Sequence, residues 1–101
     1  MPRYFPAELL RRLRNDIPID WLIRYLEWPH KRRDGQFVFV CPRCGESLSD
    51  VNPRTNLGRC FHCQTNFNPI EFVMSTRECN FVDTVKFLMP LLRNPASTKP
   101  T

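Results

Sequence analysis

Two pairs of cysteines constrain this sequence more than any other feature. Cys41 and Cys44 form one Cys-x2-Cys pair, Cys60 and Cys63 form a second, and fifteen residues separate the pairs. Two residues between ligands let the chain turn so that both sulfurs face one ion, and two such turns complete a tetrahedron. The spacing therefore predicts one bound zinc ion. Because protein ligands would fill all four positions, this zinc is expected to be structural rather than catalytic.

Other interpretations of the cysteines are weaker. An odd count of five and the absence of a secretory apolar segment argue against a disulfide framework. A thioredoxin-like redox pair would begin a helix, whereas both pairs here are expected on a β-hairpin. His62 could replace Cys63 as a ligand, but the regular spacing favours Cys63. Cys79 lies outside both pairs and is interpreted as a small buried hydrophobic residue.

The 101 residues have room for one domain, and a domain of this size gains stability from a bound metal. We expect a single domain over residues 1–93 and a flexible tail over residues 94–101, where two prolines occur without a large apolar side chain. No stretch approaches the length of a membrane span, and residues 1–6 do not lead into a secretory signal. A cytoplasmic protein is therefore expected.

The chain carries a mild excess of positive charge. Fifteen Lys and Arg residues against ten acids give a formal charge of +5, which a zinc tetrathiolate would reduce to about +3. This bias permits a polyanionic partner, although an ordinary solvated basic surface explains it equally well.

Apolar periodicity predicts helices at both ends of the chain. A first helix is expected over residues 6–14 and a second, capped by Asn15 or Asp16, up to about Leu26, with Trp21 in the core. Asn68 and Asn80 each cap a further helix, and Pro90 is expected to bend or shorten the last one.

Strands are predicted beside the cysteines. Residues 36–40 and about 57–61 form the expected hairpin, and residues 31–35 form a basic turn before it. Alternation places Phe37 and Phe39 on the face opposite Val38 and Val40, without deciding which face is buried. The predicted class is α+β, a small zinc-ribbon antiparallel sheet flanked by N-terminal and C-terminal helices.

Several segments lie in the order and spacing of a known family. They are Ile17-Pro18-Ile19, Leu22-Ile23, Tyr25, Cys41-Pro42, Gly45-Glu46, Cys60-Phe61 with Cys63, Phe72-Val73-Met74, Phe81, Val85 and Leu88. Over residues 17–92 the chain resembles the Cys-His-Cys-Cys zinc-binding domain of bacterial, phage and plasmid DNA primases. The resemblance implies a zinc ribbon that helps to recognise single-stranded template DNA and to position primer synthesis for a separate catalytic domain.

The sequence departs from that family at three places. Cys44 stands where the family usually has His, residues 47–50 replace a Thr-Pro-Ser-Phe segment, and Asn66-Phe67 replace a glycine pair. The acidic magnesium-binding catalytic domain of a primase is also missing from this sequence. The chain is therefore expected to be a noncatalytic module, or a fragment of a longer protein such as the zinc module of a primase.

Basic and aromatic side chains beside the ligands are candidate contacts to single-stranded DNA, because cations attract phosphates and bases stack on aromatic rings. The candidates are Arg32, Arg33, Arg43, Arg54, Arg59, Phe61 and His62. For each one, a solvated charge or a core ring is an equally good interpretation.

The leading hypothesis is a zinc-stabilised, noncatalytic module of primase type that contacts single-stranded DNA in replication. Its expected partners are a primase catalytic domain, a helicase or another replication protein, with no membrane and no small-molecule substrate. The alternative is a protein-interaction module that docks through its terminal helices or through the edge at Trp28-Pro29-His30. A third hypothesis, metal-redox sensing, predicts that mild oxidants release the zinc.

Overall fold

The strands of the sheet lie side by side in the order in which they occur along the chain. The computed structural model describes residues 5–93. Its antiparallel sheet has the order β1-β2-β3-β4-β5. The strands are β1 (His30–Arg33), β2 (Gln36–Phe39), β3 (Ser49–Asn52), β4 (Leu57–Cys60) and β5 (Asn66–Phe67). Sequential antiparallel strands need only short connections, and this chain supplies them.

Two helices precede the sheet and two follow it. They are α1 (Ala7–Asn15), α2 (Ile19–Tyr25), α3 (Pro69–Arg77) and α4 (Phe81–Arg93). The predicted α+β class, a small antiparallel sheet flanked by helices, is confirmed. Within residues 5–93, none of the helices has the length and apolar character to cross a membrane. The predicted tail, residues 94–101, lies outside the described residues, and the domain boundary at residue 93 stays a prediction.

The C-terminal helices begin where the sequence predicts. Asn68 accepts a hydrogen bond from the Glu71 N–H at 2.8 Å, and the Glu71 side chain accepts one from the Asn68 N–H at 3.4 Å. This capping box satisfies backbone donors that have no partner within the helix. Asn80 accepts from the Asp83 N–H at 2.7 Å in the same way. Helix α4 continues through Pro90 to Arg93, so the proline does not shorten it.

Helix α2 lies between two apolar clusters. Its Leu22 packs into a cluster of the four helices, together with Leu13, Ile17, Trp21, Ile70, Val73, Val85, Leu88, Leu91 and Leu92. Its Ile19 and Ile23 pack on the sheet, in a cluster with Phe37, Phe39, Cys41, Val51, Cys60, Phe67 and Phe72. Phe37 and Phe39 are therefore buried, and Trp21 lies in the core as predicted.

The sheet is larger than the predicted hairpin. Strand β3 lies between the two predicted strands, so that β2 pairs with β3 and β3 pairs with β4. The expected basic turn is wrong for residues 31–33, which form most of β1 and pair with β2. Only Asp34 and Gly35 make the turn, and both have positive φ. Charged, exposed β1 lacks the apolar alternation by which strands are recognised.

The predicted cap of α2 is also wrong. The helix begins at Ile19, after Pro18, and Asp16 instead ends α1. The Ile19 N–H donates to Asn56 Oδ1 at 2.9 Å, so the cap comes from the turn between β3 and β4. A cap that is 37 residues away leaves no local sequence signal.

Candidate metal centre and exposed sheet face

Each cysteine pair lies in a tight turn of the same form. We call residues 41–46 knuckle 1 and residues 60–65 knuckle 2. The Cys41 N–H donates to the Glu46 carbonyl at 2.9 Å, and the Cys60 N–H donates to the Thr65 carbonyl at 2.9 Å. Knuckle 1 follows β2, and knuckle 2 begins with the last residue of β4. Both turns therefore lie at the same end of the sheet.

The four thiols of these knuckles converge on one point. Their sulfur atoms all lie within 4.8 Å of one another. The Sγ atoms of Cys41 and Cys63 are 3.7 Å apart, and those of Cys44 and Cys60 are 3.5 Å apart. Tetrahedral zinc with Zn–S bonds of about 2.3 Å requires sulfur separations of about 3.8 Å. The geometry fits one structural Zn²⁺ ion held by four cysteines.

Backbone amides support the sulfurs. The amides of Arg43 and Cys44 donate to Cys41 Sγ at 3.4 and 3.5 Å, and the Cys63 amide donates to Cys60 Sγ at 3.4 Å. Each first cysteine thus receives hydrogen bonds from its own knuckle. Such bonds stabilise thiolate charge, which is the form that binds zinc.

The pKa values of the four thiols diverge. Burial raises the pKa of Cys41. The Glu46 amide lowers the pKa of Cys44, but desolvation and the neighbouring thiols outweigh it and raise that pKa to about 12. At Cys60 desolvation is outweighed, chiefly by the hydrogen bond from the Cys63 amide and also by the neighbouring Ser49 hydroxyl and the His62 amide, so that the pKa is lowered to about 6.

The pKa of Cys63 is lowered, chiefly because the Thr65 hydroxyl lies 3.2 Å from its sulfur. Without a cation, the second pair is therefore easier to ionise than the first. Zinc binding requires all four thiolates, so it is coupled to the release of the protons that these thiols carry.

Neither the alternative ligand, His62, nor the fifth cysteine, Cys79, belongs to this group. His62 is exposed in knuckle 2 and is not among the converging ligands of the described residues. Cys79 is partly buried, with its sulfur 3.0 Å from the Thr84 hydroxyl. The predicted four-cysteine set is the one that the fold assembles.

The sheet has one buried face and one open face. The inner face carries Phe37, Phe39, Val51 and Phe67 against the helices. The outer face carries the opposite residues of each strand, in a row across the sheet from Val38 through Asp50 and Arg59 to Asn66.

Three of the candidate DNA contacts lie on the outer face. Phe61 is 57% exposed, and the Arg59 guanidinium carbon lies 5.7 Å from the centre of its ring. Arg59 also donates to Asn66 Oδ1 at 3.2 Å. Arg33 is opposite Gln36 at the end of the β1–β2 hairpin. A cation and an exposed ring are therefore held together beside knuckle 2.

A shallow groove of about 270 Å³ joins Phe61 to Arg33. Its polar part includes the Gln36 amide, which donates to Asp50 Oδ2 at 2.9 Å. The groove is lined by Arg33, Asp34, Gln36, Val38, Ser47, Leu48, Ser49, Asp50 and Phe61. Sequence reasoning missed Leu48 and Asp50, because β3 was not predicted.

The other candidates are dispersed. Arg32 lies over the Phe37 ring at 5.8 Å, at the β1 edge of the inner face. Arg43 and His62 project from the two knuckles. Arg54 lies in the β3–β4 turn, at the end of the sheet away from the cysteines. DNA contact by these residues stays a prediction.

The comparison with protein families agrees with this geometry. A family model described as the CHC2 zinc finger, the zinc ribbon of DnaG, matches residues 5–98. No curated protein matches the chain. The match covers almost the whole chain and includes both knuckles.

Proposed function

The chain belongs to the CHC2 zinc finger family, and we propose that it is a noncatalytic zinc module that contacts single-stranded template DNA in replication. A zinc module of primase type is what the family and the four cysteines support together. The observation that carries the DNA proposal is the exposed Phe61 ring with Arg59 beside it on the outer face.

Single-stranded DNA offers two features that this surface complements. An exposed aromatic ring stacks on an unpaired base, which contributes about 1 to 3 kcal/mol per base. Two cations, Arg33 in the groove and Arg59 beside the Phe61 ring, can approach phosphates of the strand. Phe61 follows Cys60 directly, so the zinc fixes the segment that carries the ring. The zinc thus acts as a scaffold, and the chemistry of recognition lies in the side chains around it.

A titration of the zinc-loaded protein with fluorescent single-stranded oligonucleotides tests the proposal. At low salt we expect binding whose affinity falls as salt rises, because cations of the protein release counterions from DNA. Phe61→Ala should weaken binding by roughly 5-fold to 150-fold and leave the salt slope unchanged. Arg59→Gln should weaken binding and reduce the slope by about 0.7, the value for one phosphate contact in a single strand.

The matched control is Arg11→Gln, which removes one positive charge from an exposed position of α1. It should change affinity only slightly, because Arg11 is away from the sheet. If Arg11→Gln and Arg59→Gln weakened binding equally, the affinity would depend on the net charge of the protein and not on the position of Arg59. No binding at low salt would overturn the proposal. The same titration with variants of Arg32, Arg43, Arg54 and His62 measures how far the contact extends.

A second candidate function is docking on a replication protein, and the helical side of the molecule favours it. Tyr25 is 50% exposed and stacks on Trp21 at 5.0 Å. Phe87 lies 6.3 Å from Tyr25, and Arg77 lies over Phe87 at 4.5 Å. Aromatic and arginine side chains of this kind dominate binding energy at protein interfaces.

We propose that a cytoplasmic primase catalytic domain, a helicase or another replication protein binds there. We expect the protein to capture such a partner even after nuclease treatment. Arg59→Gln should leave this capture unchanged, and Tyr25→Ala should abolish it. Capture that depends on nucleic acid would contradict docking. Neither role requires catalysis by this chain, and the zinc-ribbon module by itself is noncatalytic.

A further inference from the structure

Ser49 is a buried polar residue whose role the zinc ligands do not explain. It is 1% exposed at the start of β3. Within residues 5–93, its hydroxyl oxygen is buried and has no hydrogen-bond partner. Burying a hydroxyl without an acceptor costs free energy, so the presence of a serine at this position needs an explanation.

The register of the sheet places this hydroxyl beside a metal ligand. Ser49 is directly opposite Cys60 on one side and opposite Phe39 on the other. Side chains of opposite residues share a face, with Cβ atoms about 4.5 to 5.5 Å apart. The Phe39 ring has no good acceptor, whereas Cys60 ends in a buried sulfur that has a lone pair to offer. A serine hydroxyl rotates freely enough to reach it.

We propose that Ser49 is a positioning residue of the metal centre, whose hydroxyl donates a hydrogen bond to the Cys60 thiolate of the zinc-bound protein. In the zinc-bound protein Cys60 is a thiolate, and the hydroxyl has in it the acceptor that it otherwise lacks. The hydrogen bond fixes the orientation of this ligand toward the metal ion.

The arrangement gives β3 a part in the metal site although it carries no ligand. Cys63 has a counterpart in Thr65, whose hydroxyl lies 3.2 Å from the sulfur. Thr65 belongs to knuckle 2 itself, whereas Ser49 reaches knuckle 2 from the neighbouring strand. Both cysteines of the second pair would then have a hydroxyl group next to the sulfur.

Ser49→Ala tests the proposal, because it removes the donor and little else. We expect zinc affinity to fall about tenfold in competition with a chromophoric chelator, as for other residues that hydrogen-bond metal ligands. In cobalt-substituted protein, the thiolate-to-cobalt charge-transfer bands should shift to lower energy. The reason is that a sulfur without the hydrogen bond holds its lone pair less tightly. Ser49→Thr keeps the hydroxyl and should keep the band energy.

Two control variants separate this role from a packing role. Ser47→Ala removes an exposed hydroxyl two residues away and should change neither affinity nor spectrum. Val51→Ala removes buried volume from the same face of β3, opposite Gly58. It should lower the melting temperature without moving the cobalt bands. The proposal is overturned if Ser49→Ala leaves the bands unmoved, or if Ser49→Thr shifts them as far as Ser49→Ala does.

Discussion

One side chain, Asn56, joins the sheet to both N-terminal helices. Its Nδ2 group donates to the carbonyls of Arg14 at 2.6 Å and Ile17 at 2.8 Å, and its Oδ1 accepts from the Ile19 N–H at 2.9 Å. Its backbone has φ of 57°, a conformation that Asn tolerates better than most residues. Asn56 thus satisfies groups at the end of α1 and the start of α2 at once.

Asn56→Gly should lower the free energy of unfolding by about 2 to 3 kcal/mol, because three hydrogen bonds to backbone groups are lost. Glycine accepts the positive φ, so the change isolates the side chain. Urea unfolding of the zinc-loaded protein measures the effect. Thr55→Ala, at the exposed neighbouring position, should stay within about 0.5 kcal/mol of the original chain. A loss below 1 kcal/mol for Asn56→Gly would contradict this assignment.

At the scale of elements, the Phe39 ring of β2 packs against Gly58 of β4. A Cβ atom added at Gly58 would lie 2.7 Å from Phe39 Cζ and 2.9 Å from Cε1. Phe39 is 1% exposed, so its ring has little room to move. The absence of a side chain at Gly58 is therefore what lets the Phe39 ring reach across the inner face to β4.

Gly58→Ala should destabilise the protein by about 1 to 3 kcal/mol through overpacking. Adding Phe39→Leu should recover part of the loss, because the smaller side chain clears the new methyl group. Gly45→Ala is the matched control, because a Cβ atom added at Gly45 has no neighbouring atom within 4 Å. Its expected destabilisation of about 1 kcal/mol comes from the φ of +80° alone. Thermal unfolding of the single and double variants measures the coupling. Additive effects of Gly58→Ala and Phe39→Leu would contradict the steric explanation.

The elements also show what sequence could and could not predict. The cysteine spacing, the capping box at Asn68 and the apolar period of α4 are local signals, and the corresponding structures were predicted correctly. Strand β3 reads Ser-Asp-Val-Asn and β5 has two residues. Their pairing depends on neighbouring strands rather than on their own propensity, so their sequences contain little evidence of it. The groove on the outer face was missed for the same reason.

At the scale of the whole molecule, the metal centre belongs to one of the two apolar clusters. Cys41 and Cys60 are buried among the sheet residues, whereas the cluster formed by the helices contains no zinc ligand. Zinc therefore stabilises the two halves of the molecule unequally. Helices α2 and α3 contribute residues to both clusters and, together with Asn56, link the two halves.

Removal of zinc by a chelator should first increase hydrogen exchange in the sheet. We expect the amides of Gly58 and Cys60 in β4 to lose protection, while those of Val85 and Leu88 in α4 exchange more slowly. Exchange measured by mass spectrometry or NMR, with and without chelator, tests this order. Simultaneous loss of protection in β4 and α4 would contradict it and would mean that the molecule unfolds as one unit.

The consecutive strand order has a consequence for how the protein folds. Every strand pairs with its neighbour along the chain, so the relative contact order of the sheet is low. The two knuckles can meet after closure of a loop of fifteen residues, and the entropy cost of such a closure grows only slowly with length. Two local turns and one short loop are thus enough to assemble the metal-binding nucleus. Folding of the sheet should then be limited by capture of zinc rather than by the search for distant contacts.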